Sequence, residues 1–264
     1  MTGILFIARL GSTRLSNKHL IEVNGKSFIE WLISRYVFEF KDELEKELVK
    51  LIICSSVEPE NKNFERVLSG QPIHFFYGND ENIPLRQLEC AKEHGLVNII
   101  SIDGDDILCS SEAALNVYHQ LLEKTNPVVK TSGLPLGMNV MGYSTEFLSS
   151  VVKDGSKYET GWGRIFDKAK TGELVMGNYS ENTDLRFTLD YEADADFFKA
   201  IILVLKEKVI SVSDKELIKV VLDQKFYELN KSVNNEYWEN FNRQKENEIN
   251  ATPKKSENNN PIQQ

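Results

Sequence analysis

The sequence predicts an α/β fold with a largely parallel sheet, and three observations support this prediction. The chain has 264 residues and is 41% hydrophobic, which is enough for a sizeable buried core. Short apolar runs of strand length recur along it, and segments with apolar residues at helical spacing separate them. Strands that alternate with helices of this length are typical of βαβ units, whose strands pair in parallel.

The predicted strands are the short apolar runs. GILFIA is the first of them, VKLIICS and PIHFFYG are the next two, and VNIISIDGDD is a fourth that runs into an acidic turn. In chain order, strands are predicted over residues 3–8, 49–55, 72–78, 97–106, 127–132, 138–144 and 185–190.

The predicted helices carry either an apolar stripe or terminal signals. In the first helix, Phe28, Trp31, Leu32 and Tyr36 fall on one side. The second has a proline near its start and a glycine past its end, and the third opens with a capping serine. The fourth is strongly amphipathic. These helices are predicted over residues 27–40, 84–95, 110–124 and 193–208.

The C-terminal part of the chain differs in composition from the rest. Residues 211–242 are predicted to form a helical extension of a single domain over residues 1–242. Residues 243–264 are polar, rich in asparagine and almost free of large apolar groups, so a disordered tail is predicted there.

Composition also restricts the partners and the compartment. A net charge of −9 argues against a general nucleic-acid surface, because phosphate backbones require a dense basic patch. The three cysteines show no metal-type spacing, and free thiols suit a reducing compartment. We find no leader-type N-terminus and no apolar run of membrane-spanning length. We therefore expect a cytoplasmic protein with no membrane or nucleic-acid partner.

A cationic loop follows the first predicted strand. The stretch IARLGSTRLSNKHL, residues 7–20, brings Arg9, Arg14 and Lys18 to the carboxyl end of that strand. Such strand ends are where parallel sheets bind ligands, and the backbone N–H groups of a glycine–serine–threonine turn can cradle phosphate oxygens. The loop is therefore interpreted either as a triphosphate site or as a solvated turn. Because its neighbours are polar, Lys18 is not expected to be buried unless it meets an anion.

Two well-known phosphate motifs are excluded. The tetrapeptide NGKS at residues 24–27 resembles the end of a P-loop, but Leu20 stands where that motif needs its first glycine. The dinucleotide fingerprint with three spaced glycines is also absent.

Two acidic turns complete the pattern. DGDD at residues 103–106 and LDYEADAD at residues 189–196 each place a carboxylate at the end of a predicted strand, namely Asp105 and Asp190. Hard oxygen ligands of this kind suit Mg²⁺, which takes one or two carboxylates together with substrate phosphates. An ordinary turn explains DGDD equally well in isolation, and Asp194 is interpreted as a helix cap. Together, the cationic loop and the two turns predict a site for a metal-bound nucleoside triphosphate.

Four blocks resemble the cytidylyltransferases that activate sugar acids. They are ARLGSTRLSNKHL with VNGKSFIEWLISR, YGNDENIPLRQLECAKEHGLVNIISIDGDDIL, GLPLGMNVMGYSTEFL, and LRFTLDYEADADFFKAI. The blocks occur in the family's order and cover residues 3 to 205, and the first and last are the most specific. The nearest subgroup is that of the spore-coat polysaccharide biosynthesis proteins.

The resemblance implies a fold, a reaction and a set of site residues. The fold would be the three-layer α/β/α sandwich of nucleotide-diphospho-sugar transferases, with a mostly parallel mixed sheet. The reaction would be Mg²⁺-dependent transfer of CMP from CTP to a small sugar-acid-type acceptor, and a homodimer is left open. Asp105 and Asp190 would hold the metal, and both would be catalytic together with Arg14 and Lys18. The nucleotide would be bound by Arg9, Gly11, Ser12, Arg14, Lys18 and Arg86.

The sequence also departs from the family pattern. Ser16 and Asn17 replace a proline–glycine pair in the cationic loop, and Met141 stands where the spore-coat subgroup often has an acidic residue. Trp162 and Arg164, in GWGRIF, are predicted either to line the acceptor pocket or to pack within a loop. Neither the change at Ser16 and Asn17 nor the change at Met141 removes a charged group that the chemistry requires.

Three alternatives stay open at this point. One is a nucleotidyltransferase that uses another base with a sugar-1-phosphate or phosphonate acceptor. A second is a glycosyltransferase of the same fold, for which DGD at residues 103–105 has the form of the metal turn. A third is a non-catalytic nucleotide-binding protein, against which the retention of Asp105 and Asp190 argues.

Overall fold

A seven-stranded sheet in the order β5-β4-β1-β6-β8-β7-β9 forms the centre of the computed structural model. The structure describes residues 1–12, 14–153, 155–166, 169–179 and 184–251. The strands of this sheet are β1 Thr2–Ile7, β4 Val49–Ser56, β5 His74–Gly78, β6 Asn98–Asp103, β7 Val128–Ser132, β8 Met141–Ser144 and β9 Thr171–Val175. A separate antiparallel pair consists of β2 Glu22–Val23 and β3 Lys26–Ser27.

Helices connect and cover these strands. They are α1 Phe28–Glu39, α2 Lys41–Glu45, α3 Asn63–Val67, α4 Ile83–His94, α5 Ser111–Glu123, α6 Thr145–Val151, α7 Glu192–Leu205, α8 Asp214–Asp223 and α9 Asn234–Ala251. Short 3₁₀ turns lie between them, among them Lys18–Leu20 in the cationic loop and Trp162–Phe166. No helix in the described ranges is long and apolar enough to cross a membrane.

The sheet is mixed and mostly parallel, as predicted. β1 pairs in parallel with both β4 and β6, β4 with β5, and β7 with β9. Only β8 is reversed, and it runs antiparallel to β6 on one side and to β7 on the other. The carboxyl ends of β1, β4 and β6 therefore meet at one edge.

Helices cover both faces of the sheet and make three layers. Successive side chains of β1 alternate between two buried clusters, because neighbouring residues of a strand point to opposite faces. Ile4 and Phe6 join a cluster with residues of α1, α5, α7 and α8. Leu5 joins a second cluster with Leu88 of α4 and Leu148 of α6. The fold class expected from the sequence is confirmed.

Two strand predictions need correction. Residues 185–190 form no strand and make only a single bridge, between Leu136 and Arg186. Their charged side chains are held by ion pairs, and their amides bond to loop carbonyls such as Asp105 O. Residues 171–175, predicted as no element, are β9. This edge strand is only partly buried, so it carries a weak apolar pattern.

The predicted disordered tail is wrong for residues 243–251, which continue α9. The segment is polar in composition, but Glu248 is buried at 7% exposure because it contacts the loop at residues 159–164. The composition of residues 243–251 does not show that their polar side chains contact polar groups of a distant loop. Residues 252–264 lie outside the described residues.

Candidate active site

A cleft of about 730 Å³ opens at the carboxyl ends of β1 and β6. The loop after β1, the turn after β6, the first turn of α4, the segment around residue 160 and one face of α9 all contribute to it. Of the predicted site residues, only Arg164 is absent from its lining. The others line it together: Arg9, Gly11, Ser12, Arg14, Lys18, Arg86, Asp105, Trp162 and Asp190.

Gly104 lets the acidic turn approach the start of the cationic loop. Its amide donates to Ile7 O at 2.8 Å. A Cβ atom at this position would lie 2.6 Å from the Ala8 Cβ and 2.9 Å from Ile7 O. Any side chain at residue 104 would therefore push the DGDD turn away from the loop.

The cationic loop bends at Asn17, which lies in the left-handed region with φ 50°. The related family pattern has a glycine here. Asparagine is one of the few other residues that adopt this conformation at low cost. Asn17 in place of glycine is thus compatible with the same backbone turn. A short 3₁₀ helix begins directly after it, at Lys18.

Lys18 lies between the two carboxylates predicted to bind metal. Its Nζ donates to Asp105 Oδ2 at 2.8 Å and to Leu189 O at 2.6 Å, and it pairs with Asp190 Oδ1 at 3.4 Å. Lys18 is only 6% exposed. Burial alone would lower the pKa of its ammonium, but Asp105 and Asp190 outweigh that effect and raise it. The lysine is thus buried with protein anions as its partners.

Asp190 is held by three cations. Arg14 donates to its Oδ1 at 2.5 Å, Arg186 to its Oδ2 at 2.9 Å, and Lys18 is the third. Arg186 also pairs with Asp194 at 3.0 Å, so it fixes both carboxylates of the second acidic turn. Sequence reasoning missed Arg186. The available signal was its position four residues before Asp190, the last residue of the predicted strand.

Asp194 serves the start of α7. Its Oδ2 accepts from the amides of Asp190 and Tyr191, both at 2.9 Å, which makes it the third residue of a capping box. Asn230 donates to its Oδ1 at 2.9 Å. The sequence predicts Asp194 as the N-cap of this helix. That prediction needs correction, because Tyr191 is the N-cap and Asp194 accepts from the N-terminal amides as the third residue of the helix.

The DGDD turn concentrates negative charge. Burial and then the Asp105 carboxylate raise the pKa of Asp103 to about 7, and the same influences raise the pKa of Asp106 well above its usual range. For Asp105, burial opposes ionisation, but Lys18 overcomes it and lowers the pKa. Of the three carboxyl groups, Asp105 is therefore the one that ionises most readily, and it is the one that pairs with Lys18.

The backbone of the loop offers fewer phosphate contacts than the sequence suggests. The Ser12 amide donates to Leu10 O at 2.9 Å, and the Ser12 hydroxyl accepts from the Leu15 amide at 3.4 Å. Gly11 has no positive φ and an open Cβ side, with Glu60 Oε1 as the nearest atom at 3.6 Å. The arginine and lysine side chains are thus the stronger phosphate ligands in this loop.

Arg86, on α4, is buried at 2% exposure. Its Nε has no hydrogen-bond partner among the described residues, and burial lowers the pKa of its guanidinium. A buried guanidinium beside a cleft, with an unsatisfied donor, requires an acceptor from a ligand or from water. The structure thus places Arg86 where a bound molecule would complete its hydrogen bonding.

The far end of the cleft holds the predicted acceptor residues. Trp162 packs against Tyr143 and Phe166, as one interpretation predicted, and it also lines the cleft. Its contact with an acceptor stays a prediction. Arg164 lies behind the lining, where it donates to Thr160 O at 2.5 Å and pairs with Glu248 at 3.2 Å. Arg164 therefore contacts the protein, and its predicted contact with an acceptor finds no support in this geometry.

Comparison with known proteins identifies the family. The sequence profile of the cytidylyltransferase family matches residues 4–161, which is more than half of the chain. The chain belongs to the cytidylyltransferase family. This is a family of nucleotidyltransferase enzymes, and the geometry of cations and carboxylates described above is compatible with such an enzyme.

Other proteins of known sequence or structure are more distant, and the solved structures among them share the fold. An uncharacterized protein of Methanocaldococcus jannaschii is 24% identical over 153 residues, which span 58% of this chain and 60% of that relative. A cytidylyltransferase from Leptospira borgpetersenii serovar Hardjo-bovis superposes with a TM-score of 0.73 and 20% identity, covering 87% of this chain and 97% of that one. The structure of CMP:2-keto-3-deoxy-manno-octonic acid synthetase complexed with CTP superposes with a TM-score of 0.55 and 13% identity, covering 77% of this chain and 98% of that one.

The match to the cytidylyltransferase profile ends before the second half of the site. Arg9, Arg14, Lys18, Arg86 and Asp105 lie within residues 4–161, but Asp190, Arg186 and the whole of α9 lie beyond it. The family match thus includes the residues that the cleft receives from β1, α4 and β6, and it does not include the residues that the cleft receives from the second acidic turn and α9.

Proposed function

We propose that this cytidylyltransferase family member transfers CMP from CTP to a sugar acid or a related acceptor and releases pyrophosphate. The reaction depends on Mg²⁺ and activates the sugar in the cytoplasm for surface polysaccharide or glycoconjugate biosynthesis. The observation that supports the proposal is one cleft in which Arg14 and Lys18 contact Asp105 and Asp190. Phosphate ligands and metal ligands are thereby brought to one place.

The reaction is an in-line displacement at phosphorus. An oxygen of the acceptor attacks the α-phosphorus of CTP, the bond from that phosphorus to the bridging oxygen breaks, and pyrophosphate leaves with that oxygen. Positioning and charge stabilisation supply most of the catalysis in such transfers. Lys18 and Arg14 stabilise the negative charge that accumulates on the departing pyrophosphate.

The residues of the site fit a magnesium ion. Asp105 and Asp190 would hold it, since both have an oxygen within 3.4 Å of the same Lys18 nitrogen. When bound, Mg²⁺ supplies Lewis-acid activation and orientation of the α-phosphate. Within the described ranges, no group of three or more acidic, histidine or cysteine side chains forms a metal cage. Two carboxylates completed by substrate phosphates are the arrangement that Mg²⁺ prefers.

In the ligand-free protein, the cations of the site pair with its carboxylates. For catalysis, Arg14 and Lys18 must turn from Asp190 and Asp105 toward the triphosphate, which frees those carboxylates for the metal. Arg186 keeps its own pair with Asp190 through this exchange and maintains the orientation of that carboxylate.

The choice of cytidine and of a sugar acid has a separate basis. The blocks quoted from the sequence resemble sugar-acid cytidylyltransferases of the spore-coat type, and a synthetase that acts on 2-keto-3-deoxy-manno-octonic acid shares the fold. The unsatisfied Arg86 donor suits a carbonyl or phosphate oxygen of the nucleotide.

The proposal is tested by pyrophosphate release. The purified protein is incubated with Mg²⁺ and each of the four ribonucleoside triphosphates, with a panel of 2-keto sugar acids, sugar-1-phosphates and phosphonates as acceptors. We expect release with CTP and a 2-keto sugar acid. Release with another triphosphate and a sugar-1-phosphate would replace the proposal by a different nucleotidyltransferase. If no triphosphate gives pyrophosphate, and an added nucleotide sugar is instead cleaved to a nucleoside mono- or diphosphate, the protein is a glycosyltransferase.

A further inference from the structure

Helix α9 presents one face to the cleft. The residues that line the cleft from this helix are Tyr237, Phe241, Gln244, Asn247 and Glu248. Their spacing of three or four residues places them on a single stripe of an α-helix. The helix therefore forms a continuous wall of the cleft that contacts the segment before Trp162, where Gln244 Oε1 accepts from the Thr160 hydroxyl at 3.4 Å. None of it falls within the family match at residues 4–161.

One end of this wall is anchored by Glu248. Its carboxylate accepts from the Thr160 amide at 2.8 Å and the Glu159 amide at 3.3 Å, and it pairs with Arg164 at 3.2 Å. Both members of this ion pair are largely buried, with side-chain exposures of 13% for Arg164 and 8% for Glu248. A buried, hydrogen-bonded pair of this kind fixes geometry strongly, because removing either partner leaves a buried charge.

The other end is anchored beside the acidic turn. The Tyr237 ring lies under the Arg186 guanidinium at 4.0 Å, and Asn240 donates to the Tyr191 hydroxyl at 2.9 Å. Arg186 is the residue that pairs with Asp190. Helix α9 therefore spans the cleft from the proposed metal carboxylate to the segment at residues 159–164.

The chemistry of the wall differs from that of the cationic loop. Its aromatic rings can pack against the C–H face of a sugar, and its carboxamides can donate to and accept from hydroxyl groups. The guanidinium at this end, on Arg164, is engaged by Glu248 and by three loop carbonyls. A hydroxyl-bearing, uncharged part of a ligand fits this wall better than a phosphate.

We propose that α9 is the wall of the acceptor subsite and that Glu248 is a positioning residue that fixes this wall against residues 159–164. The hydroxylated body of the acceptor lies in the cleft against Gln244 and Asn247 of the helix and against Trp162, which lines the same cleft. The inference rests on the proposed function, because it assigns the acceptor of that reaction to a particular part of the cleft.

The test uses the full-length chain with substitutions at Glu248. In Glu248→Ala, the amides at residues 159 and 160 lose their acceptor, so hydrogen–deuterium exchange of the peptide over residues 156–164 should become faster. Glu248→Gln retains an oxygen acceptor and should restore part of the protection. Glu246→Gln is the matched control, because Glu246 is an exposed residue on the same helix. Unchanged exchange in Glu248→Ala would overturn the anchoring role.

Kinetics then separate positioning from nucleotide binding. With the 2-keto sugar acid that the parent uses, Glu248→Ala and Gln244→Ala should raise the KM for the acceptor about tenfold, since small misplacements are costly in transfer reactions. The Kd for CTP with Mg²⁺, measured by calorimetry, should stay within about twofold in both variants. Equal losses of CTP affinity, or an unchanged KM for the acceptor, would overturn the proposal.

The same measurements distinguish this inference from the proposed function. A parent protein that binds no CTP contradicts the proposed function, whereas the exchange experiment still decides whether Glu248 holds the wall. A parent that binds CTP but turns over only acceptors without a hydroxylated body overturns the subsite assigned to α9.

Discussion

The central residues of the site form a nearly neutral network of cations and carboxylates. Arg14, Lys18 and Arg186 surround Asp190, and Lys18 also pairs with Asp105. In a chain of net charge −9, this network is a local exception that prepares the cleft for an anion. Each member has at least one protein partner, so a ligand must exchange partners as it binds.

The two carboxylates provide the first prediction. Asp105→Asn and Asp190→Asn should each lower the turnover of CTP at least about a hundredfold, because each removes a proposed metal ligand. The measurement is pyrophosphate release at saturating Mg²⁺. Asp196→Asn is the control, because Asp196 lies on the exposed side of α7 and is 59% exposed. Near-parent turnover in either active-site variant would contradict the metal assignment.

Lys18 provides a prediction about metal binding without turnover. Because its ammonium occupies the space between Asp105 and Asp190, Mn²⁺ alone should bind the parent weakly, and CTP should tighten that binding at least about tenfold. Lys18→Met should bind Mn²⁺ alone more tightly than the parent does. Electron paramagnetic resonance of free Mn²⁺ measures the Mn²⁺ affinity of the parent, with and without CTP, and of Lys18→Met. Lys157→Met is the control. Equal Mn²⁺ affinity in the parent and in Lys18→Met would contradict this competition.

Lys18 also shows where residue-level prediction from the sequence stops. Its polar neighbours predicted a side chain that is exposed unless it meets an anion, and a structural anion was not considered. The structure supplies two, Asp105 and Asp190, from segments 87 and 172 residues away. Lys18→Met should therefore lower the free energy of unfolding by about 1–3 kcal/mol, because it removes one of the three cations around buried Asp190 and the ammonium partner of half-buried Asp105. The residue types of the site were predictable, but their mutual pairing was not.

At the scale of elements, regular patterns were predicted well and irregular ones were not. The helices at residues 27–40, 84–95 and 110–124 agree with α1, α4 and α5 to within about one residue, because their apolar stripes and caps are encoded locally. The extended segment over residues 185–190 was taken for a strand because its apolar residues alternate. Asp190 pairs with Arg186 inside the segment, but it also pairs with Arg14 and Lys18 of the distant cationic loop, and no local pattern shows those two contacts.

Helix α9 provides a prediction at this scale. Removing residues 246–264 deletes Glu248 and leaves Arg164 without its carboxylate, so the melting temperature should fall by several degrees. A shorter truncation after residue 251 retains the whole of α9 and serves as the control. Differential scanning calorimetry measures the melting temperatures of the two truncated proteins. Equal melting temperatures would show that Glu248 contributes no stability, in agreement with the sequence-based expectation of a dispensable tail.

At the scale of the whole molecule, one buried histidine links stability to pH. Burial, and then the charge of Lys18, lowers the pKa of His19 to about 3. In the unfolded chain, a histidine titrates near about 6.5. As the pH falls from there toward 3, the unfolded chain takes up a proton that the folded protein does not, so stability decreases by about 1.4 kcal/mol per pH unit.

Urea unfolding at pH 7, 6 and 5 tests this dependence. The raised pKa of Asp103, about 7, acts in the opposite direction, because the folded protein then holds a proton that the unfolded chain has lost. Since Asp103 is present in both proteins, the difference in slope between the parent and His19→Gln isolates the histidine. The parent should lose more stability than His19→Gln as the pH falls, and parallel slopes would contradict a neutral buried His19.

The position of β1 between β4 and β6 also has a consequence for how the chain folds during synthesis. The four adjacent strands β5, β4, β1 and β6 all come from residues 2–103, so a contiguous half of the sheet leaves the ribosome first. Asp190 and α9 follow much later. Because domains fold as their segments become available, we expect the floor of the cleft to assemble while its outer wall is still being translated. During that interval, Lys18 has Asp105 as a partner but lacks Asp190, and Arg14 lacks Asp190, the carboxylate with which it pairs.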